Sequence, residues 1–275
     1  RRPPRSTRKE SSAASDVYKR QGHSLSPMIH KEFAKQQGIN IQYKMIEPES
    51  EGHFETHTQS FFSKKGYGAN ITIPFKELAF DFANDHDSSA IECQCANTLI
   101  SENGKIKAYN TDGEGFIKDL RNKNINLIDK KVLVLGAGGS ASSIINSLSK
   151  IDISQIDILS RTQQRVDRLI DKYKASSNIS IYRENSEYDL IVNTTPVSMN
   201  NNEIKFPSSI FNNSSISYDL FYSKTTTSFQ NWSENNNVAK SYNGIGMLIE
   251  QAALSYNIWN NYEPNTNTLE KILGF

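Results

Sequence analysis

Apolar positions along this chain switch repeatedly between helical and alternating spacing, and glycine, proline and asparagine mark the switches. Ser26 at a cap position and Pro27 just inside it open a predicted helix over Ser26–Gln37, and Gly38 closes it. Gln42–Ile46 alternates like a short strand. Residues 51–65 carry Phe54, Phe61 and Phe62 at helix-compatible positions and end at Gly66 and Gly68. In residues 69–73, Ile71 and Ile73 share one face of an extended segment and Asn70 and Thr72 the other. Pro74 then starts a helix whose Leu78, Ala79 and Phe82 point inward and whose first turn carries Lys76. Asn103-Gly104 between the strand-like runs 98–101 and 105–109 predicts a hairpin. A helix over 114–122 follows.

The second half repeats strand, turn and helix. Residues 132–135 form an apolar run, a glycine cluster follows, and 140–148 is helix-compatible. Further buried-looking strands are predicted at 156–159, 179–182, 189–192 and 217–221. Residues 200–213 read as an asparagine-rich loop. A last helix over 247–259 aligns Leu248, Ala252, Tyr256 and Trp259 on one stripe, with Gln251 beside it. The pattern predicts an α/β protein with parallel strands in its second half.

The glycine cluster carries the most specific chemistry. Gly136-Ala137-Gly138-Gly139-Ser140-Ala141 reads as G-x-G-x-x-A after a strand and before a helix, the arrangement of a dinucleotide fold. Gly136 permits the tight turn, Gly138 lets backbone approach a pyrophosphate, and Ala141 lets the helix pack close. The helix start is an anion site through its unpaired N–H groups. The next strand ends in Ser160-Arg161-Thr162, with Arg165 one turn on. An acidic residue there suits the ribose of NAD, whereas arginines suit a 2′-phosphate, so NADP is the expected cofactor. Asn193 to Pro196 ends another strand at the carboxyl edge, where open parallel sheets bind ligands. Lys76 at the positive end of a helix is disfavoured as a cation, which would move its pKa toward neutrality; a solvated surface lysine is the plainer alternative. Ser24, Ser26 and Asp112 stand where they serve either as helix caps or as ligand contacts.

Composition narrows the classes. The 275 residues suit two modest domains, and 31 basic against 30 acidic residues give a net charge of +1, so no chain-wide field favours nucleic acid. The two cysteines, Cys93 and Cys95, read as small core residues in a reducing compartment. No apolar run reaches the ~18 residues of a membrane span. The histidines lack metal-ligand spacing, so no metal is expected, and His30, His53, His57 and His86 read as surface or packing residues. Residues 1–21, polar and arginine-rich, are expected to stay disordered as a non-native leader.

Taken together, Ser24-Leu-Ser-Pro27, Asn70-Ile-Thr-Ile-Pro-Phe-Lys76, Ala96-Asn-Thr98, Asn110-Thr-Asp-Gly113, the glycine cluster, Arg161-Thr with Arg165, Tyr218-Asp-Leu-Phe-Tyr222 and Gly244 to Gln251 resemble the shikimate dehydrogenase family over nearly the whole chain from His23. The resemblance implies an α/β protein of two domains with a cleft between them. Residues 22–111 plus 246–275 would bind substrate, and 112–245 would be a Rossmann-like, doubly wound NADP-binding domain. It implies reversible reduction of 3-dehydroshikimate to shikimate with NADPH, on the route to aromatic amino acids, by a cytoplasmic monomer or homodimer.

Lys76 and Asp112 would carry proton transfer. Ser24 and Ser26 would hold the substrate carboxylate, and Asn70, Thr72, Asn97, Tyr222 and Gln251 the rest of the ring. Gly136, Ala137, Gly138, Gly139 and Ser140 would hold the cofactor phosphates. Arg161, Thr162 and Arg165 would surround the 2′-phosphate, with Ser160 also at the cofactor and Leu220 and Gly244 near the nicotinamide. Alternatives are a quinate/shikimate dehydrogenase with relaxed cofactor choice and a catalytically silent NADP-binding regulatory module; the presence of both Lys76 and Asp112 argues against the latter. Where the family has an apolar first strand, residues 14–22 are polar, so the substrate domain is expected to lack that strand.

Overall fold

The computed structural model describes residues 13–17 as backbone, and residues 24–48, 50–173, 178–200 and 203–275 in full. The chain divides into two compact units, one of Arg1–Thr111 with Ala252–Leu269 and one of Asp112–Gln251 with Glu270–Phe275. Residues 246–251 and 270–275 go with the second of these units, whereas the family resemblance implies a division at 246.

The first unit begins with a strand the sequence does not announce. β1 (Ala13–Val17) lies within the segment expected to stay outside the fold, yet it is a central strand. After α1 (Ser26–Gln37) come β2 (Gln42–Ile46), α2 (Phe54–Ser63), β3 (Gly68–Ile71), α3 (Lys76–Phe82), β4 (Asp85–His86), α4 (Ser88–Cys93), β5 (Thr98–Glu102) and β6 (Lys105–Tyr109). The sheet order is β2-β1-β3-β5-β6-β4. β1 pairs in parallel with β2, Ala13 opposite Gln42, and with β3, Ala14 opposite Gly68. Its place is set by backbone hydrogen bonding on both edges, which apolar periodicity does not register.

Other local features follow their residues. Asn103 and Gly104 both take positive φ (51° and 76°), as the two-residue turn between β5 and β6 requires. Gly38 ends α1 in the left-handed region at φ 72°. Two details differ from the pattern. Leu25, not Ser26, caps α1, because Ser26 already has helical geometry and the backbone N–H of Ser26 donates to Ser24 Oγ at 3.3 Å. Ile73 is 40% exposed while Ile71 is buried, because β3 stops at Ile71 and Phe75 N–H closes a turn onto Thr72 O.

The core of this unit gathers Phe54, Ile71, Phe75, Ala79 and Leu99 between sheet and helices. A separate aromatic group surrounds His30 of α1: Tyr43 stacks on it at 4.7 Å, and Trp259, Phe33 and Tyr256 crowd its other sides. Neither ring nitrogen of His30 has a hydrogen-bond partner among the described residues.

The second unit runs α5 (Asp112–Asn122), β7 (Lys131–Leu135), α6 (Gly139–Leu148), β8 (Gln155–Leu159), α7 (Gln163–Lys172), β9 (Ile179–Ile181), β10 (Leu190–Asn193), β11 (Ile216–Asp219), α8 (Ser228–Asn235), β12 (Lys240–Asn243), α9 (Ile245–Asn260) and α10 (Leu269–Leu273), the end of α9 belonging to the first unit. Its strands are all parallel, in the order β12-β11-β10-β7-β8-β9. Chain direction across the sheet reverses between β7 and β10, which is the doubly wound order with its switch point there. β7 and β10 are buried from end to end apart from Lys131, which explains their unbroken apolar runs. Among the described residues no helix is long and apolar enough to cross a membrane, and no group of acidic, histidine or cysteine side chains is placed to hold a metal ion.

Candidate active site

In the first unit two of the predicted substrate residues, Asn70 and Asn97, stand in one network of neutral polar groups. Tyr43 OH donates to Asn70 Oδ1 at 2.8 Å, and Asn70 Nδ2 donates to Ser255 Oγ at 3.1 Å. Ser255 Oγ lies 2.7 Å from Thr98 Oγ1 and 3.2 Å from Thr111 Oγ1. Asn97 closes the set, donating from Nδ2 to Thr111 Oγ1 at 2.8 Å and accepting from Thr111 N–H and Thr98 Oγ1. β3, the start of β5, the residues after β6 and α9 therefore converge, and each buried amide is satisfied, which fixes its rotamer.

Lys76 is the first residue of α3 and only 9% exposed. Its carbonyl accepts from Ala96 N–H at 2.8 Å, and Ile71 N–H donates to Asn97 O at 2.7 Å, so the backbones bearing Lys76, Asn70 and Asn97 are tied to one another. Thr72 lies in the turn between them, half-buried, and Ser24 and Ser26 stand at the start of α1.

The second unit holds the remaining predicted residues. Gly136 has φ 112°, and a Cβ there would meet Thr194 Oγ1, so only glycine fits this close crossing of the β7 and β10 ends. Gly138 is the N-cap of α6 with no side-chain cap, and a Cβ on it would meet nothing within 4 Å, so the space over the helix start is open. Ala137 lies in the turn, Gly139 and Ser140 open α6, and Ala141 is fully buried. These features fit a dinucleotide pyrophosphate: a cradle without side chains, facing a helix N-terminus at the switch point.

Ser160, Arg161 and Thr162 follow β8 directly, and Gly136 N–H donates to Leu159 O at 2.8 Å, so the arginine-bearing end lies beside the glycine turn. Arg161, Thr162 and Arg165 are exposed. Across the switch point, Leu220 and Gly244 pack so closely that a Cβ on Gly244 would collide with Leu220 O. Asp112 opens α5 as a helical residue rather than preceding the helix from a loop, and is 5% exposed. Tyr222 is half-buried beside Phe275, and Gln251 is buried with Nε2 donating back to Leu248 O at 2.8 Å.

The pattern overlooks two supports. Ser255 is the hub of the amide network; its place on α9 beside the apolar stripe, a small hydroxyl fully buried, was the available signal. Asp219 is wholly buried at the end of β11 and accepts from Asn193 Nδ2 (2.9 Å), Ser198 Oγ (2.5 Å), Thr227 Oγ1 (2.7 Å) and Phe221 N–H (3.2 Å). Burial raises its carboxyl pKa above the usual range, although those hydrogen bonds act the other way. It ties β10, α8 and the 219–222 segment together.

A reversal of strand order beneath a side-chain-free glycine turn, with arginines at the neighbouring strand end, defines a doubly wound α/β protein of the dinucleotide-fold class. Residues 19–99 match the shikimate dehydrogenase substrate binding domain, and residues 119–200 match the family described as shikimate / quinate 5-dehydrogenase. The chain is similar to the shikimate dehydrogenase (NADP(+)) of Vibrio atlanticus, 36% identical over 90% of this chain and 91% of that protein. Among solved structures, an Ael1 enzyme from Pseudomonas putida superposes with a TM-score of 0.87 at 30% identity, covering 96% of this chain and 99% of that one. A shikimate dehydrogenase from Aquifex aeolicus does so at 0.85 and 26% identity, covering 96% and 98%. The chain belongs to the shikimate dehydrogenase family.

Proposed function

We propose that this protein reduces 3-dehydroshikimate to shikimate with NADPH, reversibly, with Lys76 and Asp112 handling the proton. One observation carries the reading: both residues are withdrawn from water, at 9% and 5% exposure, in a chain related over 90% of its length to an enzyme named shikimate dehydrogenase (NADP(+)). When bound, the cofactor supplies the hydride. The chain's own work is then to orient the ring and to exchange one proton with its 3-oxygen. In reduction Lys76 Nζ gives that proton and Asp112 orients it; in oxidation Lys76 Nζ takes it back.

The neutral amides and hydroxyls suit a polyhydroxylated ring, because they donate and accept without imposing charge. Asn70, Thr72, Asn97, Tyr222 and Gln251 are assigned to the ring, and Ser24 and Ser26 to its carboxylate. Gly136, Ala137, Gly138, Gly139 and Ser140 would hold the cofactor phosphates. Arg161, Thr162 and Arg165 would hold the 2′-phosphate, as forked guanidinium donors do best, with Ser160 also at the cofactor, and Leu220 and Gly244 would flank the nicotinamide. A cytoplasmic monomer or homodimer completes the proposal. The test is NADP reduction with shikimate, run beside quinate and beside NAD. Turnover of shikimate with NADP is expected to lead; equal turnover of quinate with NAD identifies the relaxed enzyme instead, and no turnover with any pair refutes the reading.

A further inference from the structure

The chain has two cysteines, and they touch. Cys93 ends α4, and Gln94 then adopts the left-handed region (φ 50°, ψ 39°), uncommon for a residue with a side chain. That turn folds the chain back so that Cys95 Sγ lies 3.4 Å from Cys93 Sγ. Both thiols are buried, at 2% and 0% exposure, but under a thin cover: Ile91, Glu92 and Gln94 around them are exposed. Neither is disulfide-bonded.

We propose that Cys93 and Cys95 are a redox-active dithiol, a modification site that closes to a disulfide under peroxide or small-disulfide oxidants and slows the enzyme by displacing the backbone at Ala96 and Asn97. In the step both S–H bonds break and one S–S bond forms. With hydrogen peroxide the two electrons and two protons convert the oxidant to two molecules of water; with a small disulfide they convert it to two thiols. The sulfurs must close from 3.4 Å to the ~2.05 Å of the bond, inside a packed interior that does not yield freely. The strain has a short path to travel. Asn110 Nδ2 donates to Cys95 O at 3.0 Å and contacts Cys95 Sγ at 3.2 Å, and the next residue, Ala96, donates its N–H to Lys76 O at 2.8 Å. Asn97 follows, in the amide network. The rate consequence rests on the roles proposed above for Lys76 and Asn97; the thiol chemistry does not.

The test treats the full-length protein with hydrogen peroxide, then measures intact mass and the rate of NADPH-linked reduction of 3-dehydroshikimate before treatment, after it, and after dithiothreitol. Cys93→Ala and Cys95→Ser are run alongside. Misplacement of about 1 Å beside the chemistry costs up to about 10²-fold, so a loss of at least about tenfold is expected, matched by loss of two hydrogens, reversed by dithiothreitol and absent in both variants. Unchanged mass, gain of oxygen in place of hydrogen loss, or a disulfide formed at unchanged rate overturns the proposal. A reduced protein that never turns over refutes the assigned function and the rate effect with it, while the mass still decides whether the pair closes.

Discussion

His30 gives the fold a built-in sensitivity to acid. Burial lowers its imidazole pKa from 6.5 to about 3, and the Asn70 side chain acts in the other direction. Because the folded pKa is depressed, the unfolded chain takes up the proton first as pH falls. The stability is therefore fully present above 6.5 and is lost progressively as pH falls toward 3. At pH 5 the loss is about 2 kcal/mol relative to pH 8, and within the window it deepens by about 1.4 kcal/mol per pH unit. His30→Phe keeps an aromatic ring in the cage of Tyr43, Phe33, Tyr256 and Trp259 and removes the titration. The near-isosteric swap should leave stability at pH 7.5 within about 1.5 kcal/mol of the parent. Urea unfolding of both proteins at half-unit steps from pH 7.5 to 5 gives the difference directly, with other titrating groups cancelling. The variant should gain on the parent by about 2 kcal/mol across that range. Parallel curves would show that the imidazole is hydrated or paired in solution and would refute the argument.

Lys76→Ala should lower kcat by about 10²-fold or more with a smaller change in KM, read from steady-state kinetics with shikimate; near-normal kcat with raised KM would leave Lys76 a binding residue only. Arg161→Ala should weaken NADP by about 1.5 to 3 kcal/mol while scarcely changing NAD, read by titration with each cofactor, and equal losses would contradict the 2′-phosphate assignment. Ser15→Pro removes a ladder N–H from β1, which pairs on both edges, and should cost about 1 to 3 kcal/mol in urea unfolding. No change would show that the strand contributes little to the sheet in solution.

The second unit was readable because its signals are local. A buried parallel strand, a glycine that alone tolerates φ 112°, and arginines at the next strand end each lie within a few residues. The Asn103-Gly104 hairpin was readable for the same reason. β1 was not, because Ala13–Val17 carries little apolar signal and its position depends on strands that come later in the chain. Lys76, Asn70 and Asn97 were legible as motif residues, but their common setting was not. It depends on Ser255, 157 positions from Thr98, and no pattern within one segment reports such a contact. Asp219 was hidden inside an apolar strand end, where its donors come from β10, the following loop and the cap of α8.

The setting around Asn70 and Asn97 is assembled from amides and hydroxyls, and Lys76 is the one buried charged side chain among the described residues of the first unit, His30 being neutral. Dipoles of this kind neither titrate in the working range nor attract a counterion atmosphere. Added salt screens charges over a Debye length of about 8 Å at physiological ionic strength and leaves such groups where they are. The ionic-strength response of catalysis should then arise at the ends of the ligands, at a carboxylate or a phosphate, while the geometry that grips the ring stays constant from one buffer to the next.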